Sequence, residues 1–117
     1  MDTNRQLIKA MATECRRQIA ESGKADPSLP FAAQPKHLDQ MCAQIEKHAE
    51  RGREAKLHRW LGFVQCAMLA NRMLDLAGLK AMFDGVKLAH AGDKDADNLI
   101  DHLDPSNGFE LDLGGEG

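Results

Sequence analysis

Apolar residues fall on a helical period through most of this chain. Leu7, Ile8, Met11, Cys15 and Ile19 recur at spacings of three and four, which places them along one face of an α-helix. That helix is predicted to start at a capping residue among Asp2, Thr3 and Asn4, to run to about Ser22, and to end at Gly23. Residues 24–35, KADPSLPFAAQP, hold three of the four prolines and cannot continue it. Phe31 is expected to pin this connection to the core. Pro35 suits the first position of a second helix, whose inner face is Leu38, Met41, Cys42, Ile45 and Ala49.

Gly52 interrupts the polar stretch KHAERGREAK, after which the apolar spacing resumes at Leu57, Trp60, Leu61, Val64 and Met68. The apolar face drifts only modestly around the axis, and one glycine costs a helix about 1 kcal/mol relative to alanine. The pattern therefore predicts a long central helix to about Asn71, kinked at most at Gly52. Asn71 reads as a stop and Asp75 as the cap of a last helix from Leu76 to about His90, with Leu79, Met82, Phe83 and Val86 inward. A short fourth helix fits residues 96–103. The expected fold is all-α: a small bundle of three main helices with a long central one. A helical domain covers 1–90, and an acidic tail or docking arm covers 91–117.

Composition agrees. Val and Ile are scarce, Ala and Leu abundant, and Tyr absent, a bias toward helix over sheet. Three cysteines, Cys15, Cys42 and Cys66, lie far apart with no CxxC pair. Free thiols in apolar stripes are expected, with neither a disulfide framework nor a zinc site. The N-terminus lacks the apolar segment of a signal peptide, and the longest apolar run is five residues. A cytoplasmic protein with no membrane association is expected.

Charge divides the chain more sharply. Residues 1–90 carry 14 Lys/Arg against 10 Asp/Glu, whereas 91–117 carry one Lys against eight acids. A mildly basic body thus precedes a strongly acidic end. In that end Phe109, Leu111 and Leu113 alternate with acids. A solubilising disordered end, an arm docked on a groove with its acids at the basic patch, and a tail engaging a basic host protein are the readings, and the alternation favours the docking arm.

The most distinctive segment is KLHRWLGFVQCAML, residues 56–69, with the only tryptophan and a basic entrance. Arg51, Arg53, Lys56, His58, Arg59, Trp60 and Phe63 are its candidate binding residues for a partner or ligand. Arg16 and Arg17 join this basic surface if the first helix packs alongside. No catalytic residue, cofactor or metal is expected: there is no HExxH, P-loop, dinucleotide fingerprint or G-x-S-x-G motif. His37 with Met41 or Cys42 has helix-compatible spacing for a soft metal, but two ligands do not make a site. Glu46, Glu50 and Glu54 read as a solvated face laced by basic neighbours.

The run HRWLGFVQ, residues 58–65, resembles a group of small all-helical proteins of phages and prophages, over roughly residues 50–85. The resemblance implies a mobile-element origin and an accessory role, without a defined activity. It places Cys66 where a glycine is expected and offers no counterpart for the tail, so no functional residue carries over beyond the segment.

The expected function is binding without catalysis: inhibition or sequestration of a host protein, a defence or regulatory component. One alternative sequesters an anionic nucleotide signal at a subunit interface through Arg51, Arg53, Lys56 and Arg59. Others are a nucleic-acid-associated regulator and a small hydrolase using Glu50 or Glu54 with His58. A long helix with apolar residues on several sides would leave Trp60, Phe63 or methionines uncovered, so a homo-oligomer is also expected.

Overall fold

Residues 3–89 are described by the computed structural model, and they form four α-helices and one short 3-10 turn. The helices are α1 (Thr3–Ser22), α2 (Pro35–His48), α3 (Glu54–Ala70) and α4 (Leu76–Ala89), with the 3-10 turn at Phe31–Ala33. The all-helical expectation holds. No helix among the described residues is long and apolar enough to cross a membrane. The expectations for 91–117, namely the short helix and the docking residues Phe109, Leu111 and Leu113, lie outside the described residues.

α1 buries the stripe its spacing assigned, Leu7, Ile8, Met11, Cys15 and Ile19, together with Ala12. It packs most extensively on α2, whose Leu38, Cys42 and Ile45 are buried. α3 contributes Leu57, Leu61, Val64, Ala67 and Met68, and α4 contributes Leu79, Met82 and Phe83. Together these make one continuous core.

The long central helix is instead two helices, so the described bundle has four main helices. The break is marked by a close approach at Gly52. Its N–H donates to the His48 carbonyl at 2.6 Å, and the Arg51 N–H reaches the same oxygen at 3.2 Å. A Cβ at position 52 would lie 2.7 Å from that oxygen, closer than real contacts allow. Arg5, from α1, then takes over the turn. Its guanidinium donates to the carbonyls of Ala49 at 3.1 Å and Gly52 at 2.6 Å, and its Nε lies 3.7 Å from Glu54. Carbonyls at a helix end need such partners. A side chain 44 residues away supplies them.

The α3–α4 junction follows its local sequence more closely. Asn71 ends α3, and Arg72 adopts left-handed backbone at φ 61°. The Arg72 N–H donates to Leu69 O and the Met73 N–H to Met68 O, the paired bonds of a Schellman cap. Asp75 then caps α4, its Oδ1 accepting the Gly78 N–H at 2.7 Å.

Asn71 also organises the 23–34 connection. Its Oδ1 accepts the Asp26 N–H at 2.9 Å, and its Nδ2 donates to Ala33 O and Ala67 O. Gln34 adds bonds to the Asp26 and Leu29 carbonyls. Phe31 does not pin this segment to the core, contrary to expectation. It is 74% exposed and lies against the His37 ring, centroids 5.4 Å apart. Polar bonds to buried Asn71 hold the segment, so no apolar anchor is required there.

Candidate binding surface on α3

Two residues along a helix turn the side chain by about 200°, so neighbours in the distinctive segment cannot share one face. The structure splits them into three groups. Trp60 projects toward α2, half-buried, and lines a groove with His37, Gln40, Met41 and Gln44. Arg59 and Phe63 stand on the outer face, both exposed, with Phe63 at 42%. His58, two residues before Trp60, falls on the opposite flank and is half-buried. It therefore does not join the Trp60 groove.

Lys56 lies one turn before Trp60, and its Nζ sits 4.9 Å from the indole centroid. This cation–π contact is worth roughly 0.5–1 kcal/mol at an exposed site, and it fixes a positive charge beside the groove. Across the groove, the His37 ring is held from two sides. Its Nδ1 lies 2.7 Å from Ala32 O, so that nitrogen carries the proton and donates. The exposed Phe31 ring tilts against its face. The result is an aromatic, partly apolar groove with a cation on its α3 rim.

Arg51 and Arg53 are exposed on the α2–α3 turn, and Arg59 on α3. The expectation that Arg16 and Arg17 extend this basic surface is not met. Arg16 bridges to α2 through Asp39 and Glu46, at 2.8 and 2.9 Å, and Arg17 pairs with Glu14 and Glu21 on its own helix. Their charges are balanced by nearby carboxylates. Glu14 is held below its ordinary value of 4.5 chiefly by its hydrogen bond to Arg17, against the opposing effect of burial.

The three glutamates of the charged face have different surroundings, and of these the hydrolase alternative involves Glu50 or Glu54 with His58. Glu46 accepts from Arg16 and from Thr13, Glu54 faces Arg5, and Glu50 is exposed in the turn. Among the described residues, no three His, Cys, Asp or Glu side chains gather at metal-binding distance.

The thiols differ from one another. Cys15 and Cys42 are buried as their phases required. Burial pushes the Cys42 thiol up to about 12, reinforced by the charges of Asp39 and Glu46, and burial likewise raises Cys15. Such thiols are unreactive. Cys66 departs from expectation: it is exposed on the outer face of α3, not in the apolar stripe. Gln65 occupies the inward position beside it.

His37, Gln40, Met41 and Gln44 line the groove, with Phe31 against His37, and the sequence assigns none of them to a binding surface. A signal existed for part of the set: His37, Met41 and Gln44 fall at i, i+4 and i+7, one face of α2. Phe31 carried none, since its place depends on how the connection folds back.

Comparison with known protein families finds no match, and neither the curated proteins nor the solved structures contain one.

Proposed function

We propose that this protein acts by binding without catalysis, holding a protein partner in the groove between α2 and α3. The observation that carries this reading is Trp60, half-buried between two helices with Lys56 over its ring. A large aromatic held in place by neighbours and left accessible on one side is the chemistry of an interface anchor. The partner segment that fits combines an apolar or aromatic side chain, for the groove, with an acidic flank for Lys56, Arg51 and Arg53. The resemblance of residues 58–65 to small phage proteins supports an accessory role, in which a host defence or regulatory component is inhibited or sequestered. A homo-oligomer belongs to the same reading.

Affinity capture from a host lysate tests it, with wild type, Trp60→Ala and Lys56→Glu compared at matched helix content by circular dichroism. The captured protein should be lost from Trp60→Ala, by about tenfold or more in affinity, and reduced for Lys56→Glu. Moving from low to moderate salt should weaken wild-type binding only a few-fold, since the apolar anchor is unaffected and the exposed charges are screened. Full retention by Trp60→Ala would refute the reading. A loss of about a thousandfold across the same salt range would point to nucleic acid.

A further inference from the structure

The outer face of α3 is unlike the outer faces of α1 and α2. On α2 the exposed residues are Lys36, Gln40, Gln44, Lys47 and His48, all polar, and on α1 only Ala20 breaks a row of polar side chains. On α3 the exposed residues are Ala55, Lys56, Arg59, Phe63, Cys66 and Ala70, with half-exposed Gly62 at their edge. Only two of these are charged, and both lie toward the N-terminal end. A helix that is apolar on its core side and largely apolar on its outer side is a helix built to be covered twice.

We propose that a second copy of this chain covers this face, with the two α3 helices antiparallel about a twofold axis. Three observations lead there. First, Arg59, Phe63, Cys66 and Ala70 recur at spacings of four, three and four. This is the seam spacing of helices that pack at a shallow left-handed angle. Second, the face is self-complementary only when antiparallel. An axis midway between positions 63 and 66 sets Phe63 of one copy against Cys66 of the other, a favourable ring–sulfur contact. It also sets Arg59 against Ala70, so each large side chain meets a small one. Third, charge selects the same arrangement. Antiparallel packing brings Lys56 and Arg59 to the C-terminal end of the opposite α3, which carries partial negative charge, and toward exposed Asp75. Parallel packing would stack Lys56 and Arg59 against their own copies.

Gly62 gives a test that does not rely on unfolding the protein. A Cβ built there meets nothing within 4 Å, so a larger residue is accommodated in the single chain. Arginine also has a better helix propensity than glycine. In sedimentation equilibrium over a wide concentration range, wild type should dimerise. Gly62→Arg should weaken the dimer by about tenfold or more while its helix content and melting temperature hold or rise. Ala70→Glu should tighten it by a few-fold at low salt, because the introduced carboxylate would face Arg59 of the other copy. Trp60 lies off the Arg59–Phe63–Cys66–Ala70 seam, so Trp60→Ala should remain dimeric, and this inference and the groove reading fail separately. A monomer at every concentration, a Gly62→Arg dimer as tight as wild type, or an Ala70→Glu dimer looser than wild type would each overturn the proposal.

Discussion

The α1–α2 half and the α3–α4 half are built from helices of similar length, yet they meet solvent differently. α1 and α2 are amphipathic in the ordinary sense, with an apolar seam between them and ionic contacts along its edge. Arg16 bridges to Asp39 and Glu46, and Thr13 joins the second of these carboxylates. α3 and α4 bury a comparable stripe but turn apolar residues outward as well: Phe63, Cys66 and Ala70 on α3, and Leu76, Ala81 and Leu88 on α4. Apart from exposed Phe31 and the α2 wall of the groove, the first half is finished by its own side chains. The second retains surface whose burial would be favourable at roughly 25 cal/mol per Å², which is the physical basis for seeking partners there.

The two halves are joined by polar anchors, and removing these tests how independent they are. Asn71→Ala should have the largest effect, a loss of roughly 2–4 kcal/mol, because the Asp26 N–H and Ala33 carbonyl lose their partner at a site only 2% exposed. Chemical denaturation would read this, and a loss under about 1 kcal/mol would mean that the 23–34 connection is held by something else. Gly52→Ala comes next, at roughly 1–3 kcal/mol, since the Cβ meets the His48 carbonyl, a backbone atom that cannot rotate away. If that variant were as stable as wild type, the break between α2 and α3 would not depend on the close approach.

Arg16→Ala should shift the denaturation midpoint less than either, because its partners are exposed or half-exposed and the apolar seam remains beneath them. A shift as large as that of Gly52→Ala would transfer the stability of this half from its core to its ionic edge. The smallest effect concerns acid. Glu14 and Asp26 both have carboxyls held below their ordinary values, by the Arg17 hydrogen bond and by the Ser28 hydroxyl respectively. A depressed folded-state value stabilises the protein above the unfolded value, and that contribution is lost as pH falls through the folded one. The melting temperature should therefore be level above about pH 5 and fall below about pH 4. Arg17→Gln should flatten that fall.

Much of this molecule was legible in its residue order. The inner faces of α1 and α4, the stop at Asn71 and the cap at Asp75 all follow from local rules, because each depends on residues within a turn or two. The division of α2 from α3 was not legible. Gly52 is read from sequence as a modest propensity cost, whereas its effect comes from a backbone contact and from Arg5 reaching across from α1. The outward turn of Cys66 has a local cause, contrary to its assignment to the apolar stripe. Here the helical phase itself is informative: Cys66 stands two residues from both Val64 and Met68, about 200° from each, whereas Gln65 is four from Leu61 and three from Met68, so Gln65 turns inward and Cys66 outward.

The candidate surface divides in the same way. Trp60, Lys56 and the basic entrance stand out by composition, so residue order alone marks the segment. Which of its residues act together is not marked, because helix rotation scatters adjacent positions and the other wall of the groove comes from α2. Periodicity by itself determined that this chain is a helical protein with Trp60 in its most apolar segment. Tertiary structure decided that the segment is a separate helix and that Trp60 lines one groove with His37 and Met41. The physical reason is range: hydrophobic phase and capping act over a few residues, while contacts such as Arg5 with Gly52 and Asn71 with Asp26 span more than 40 positions.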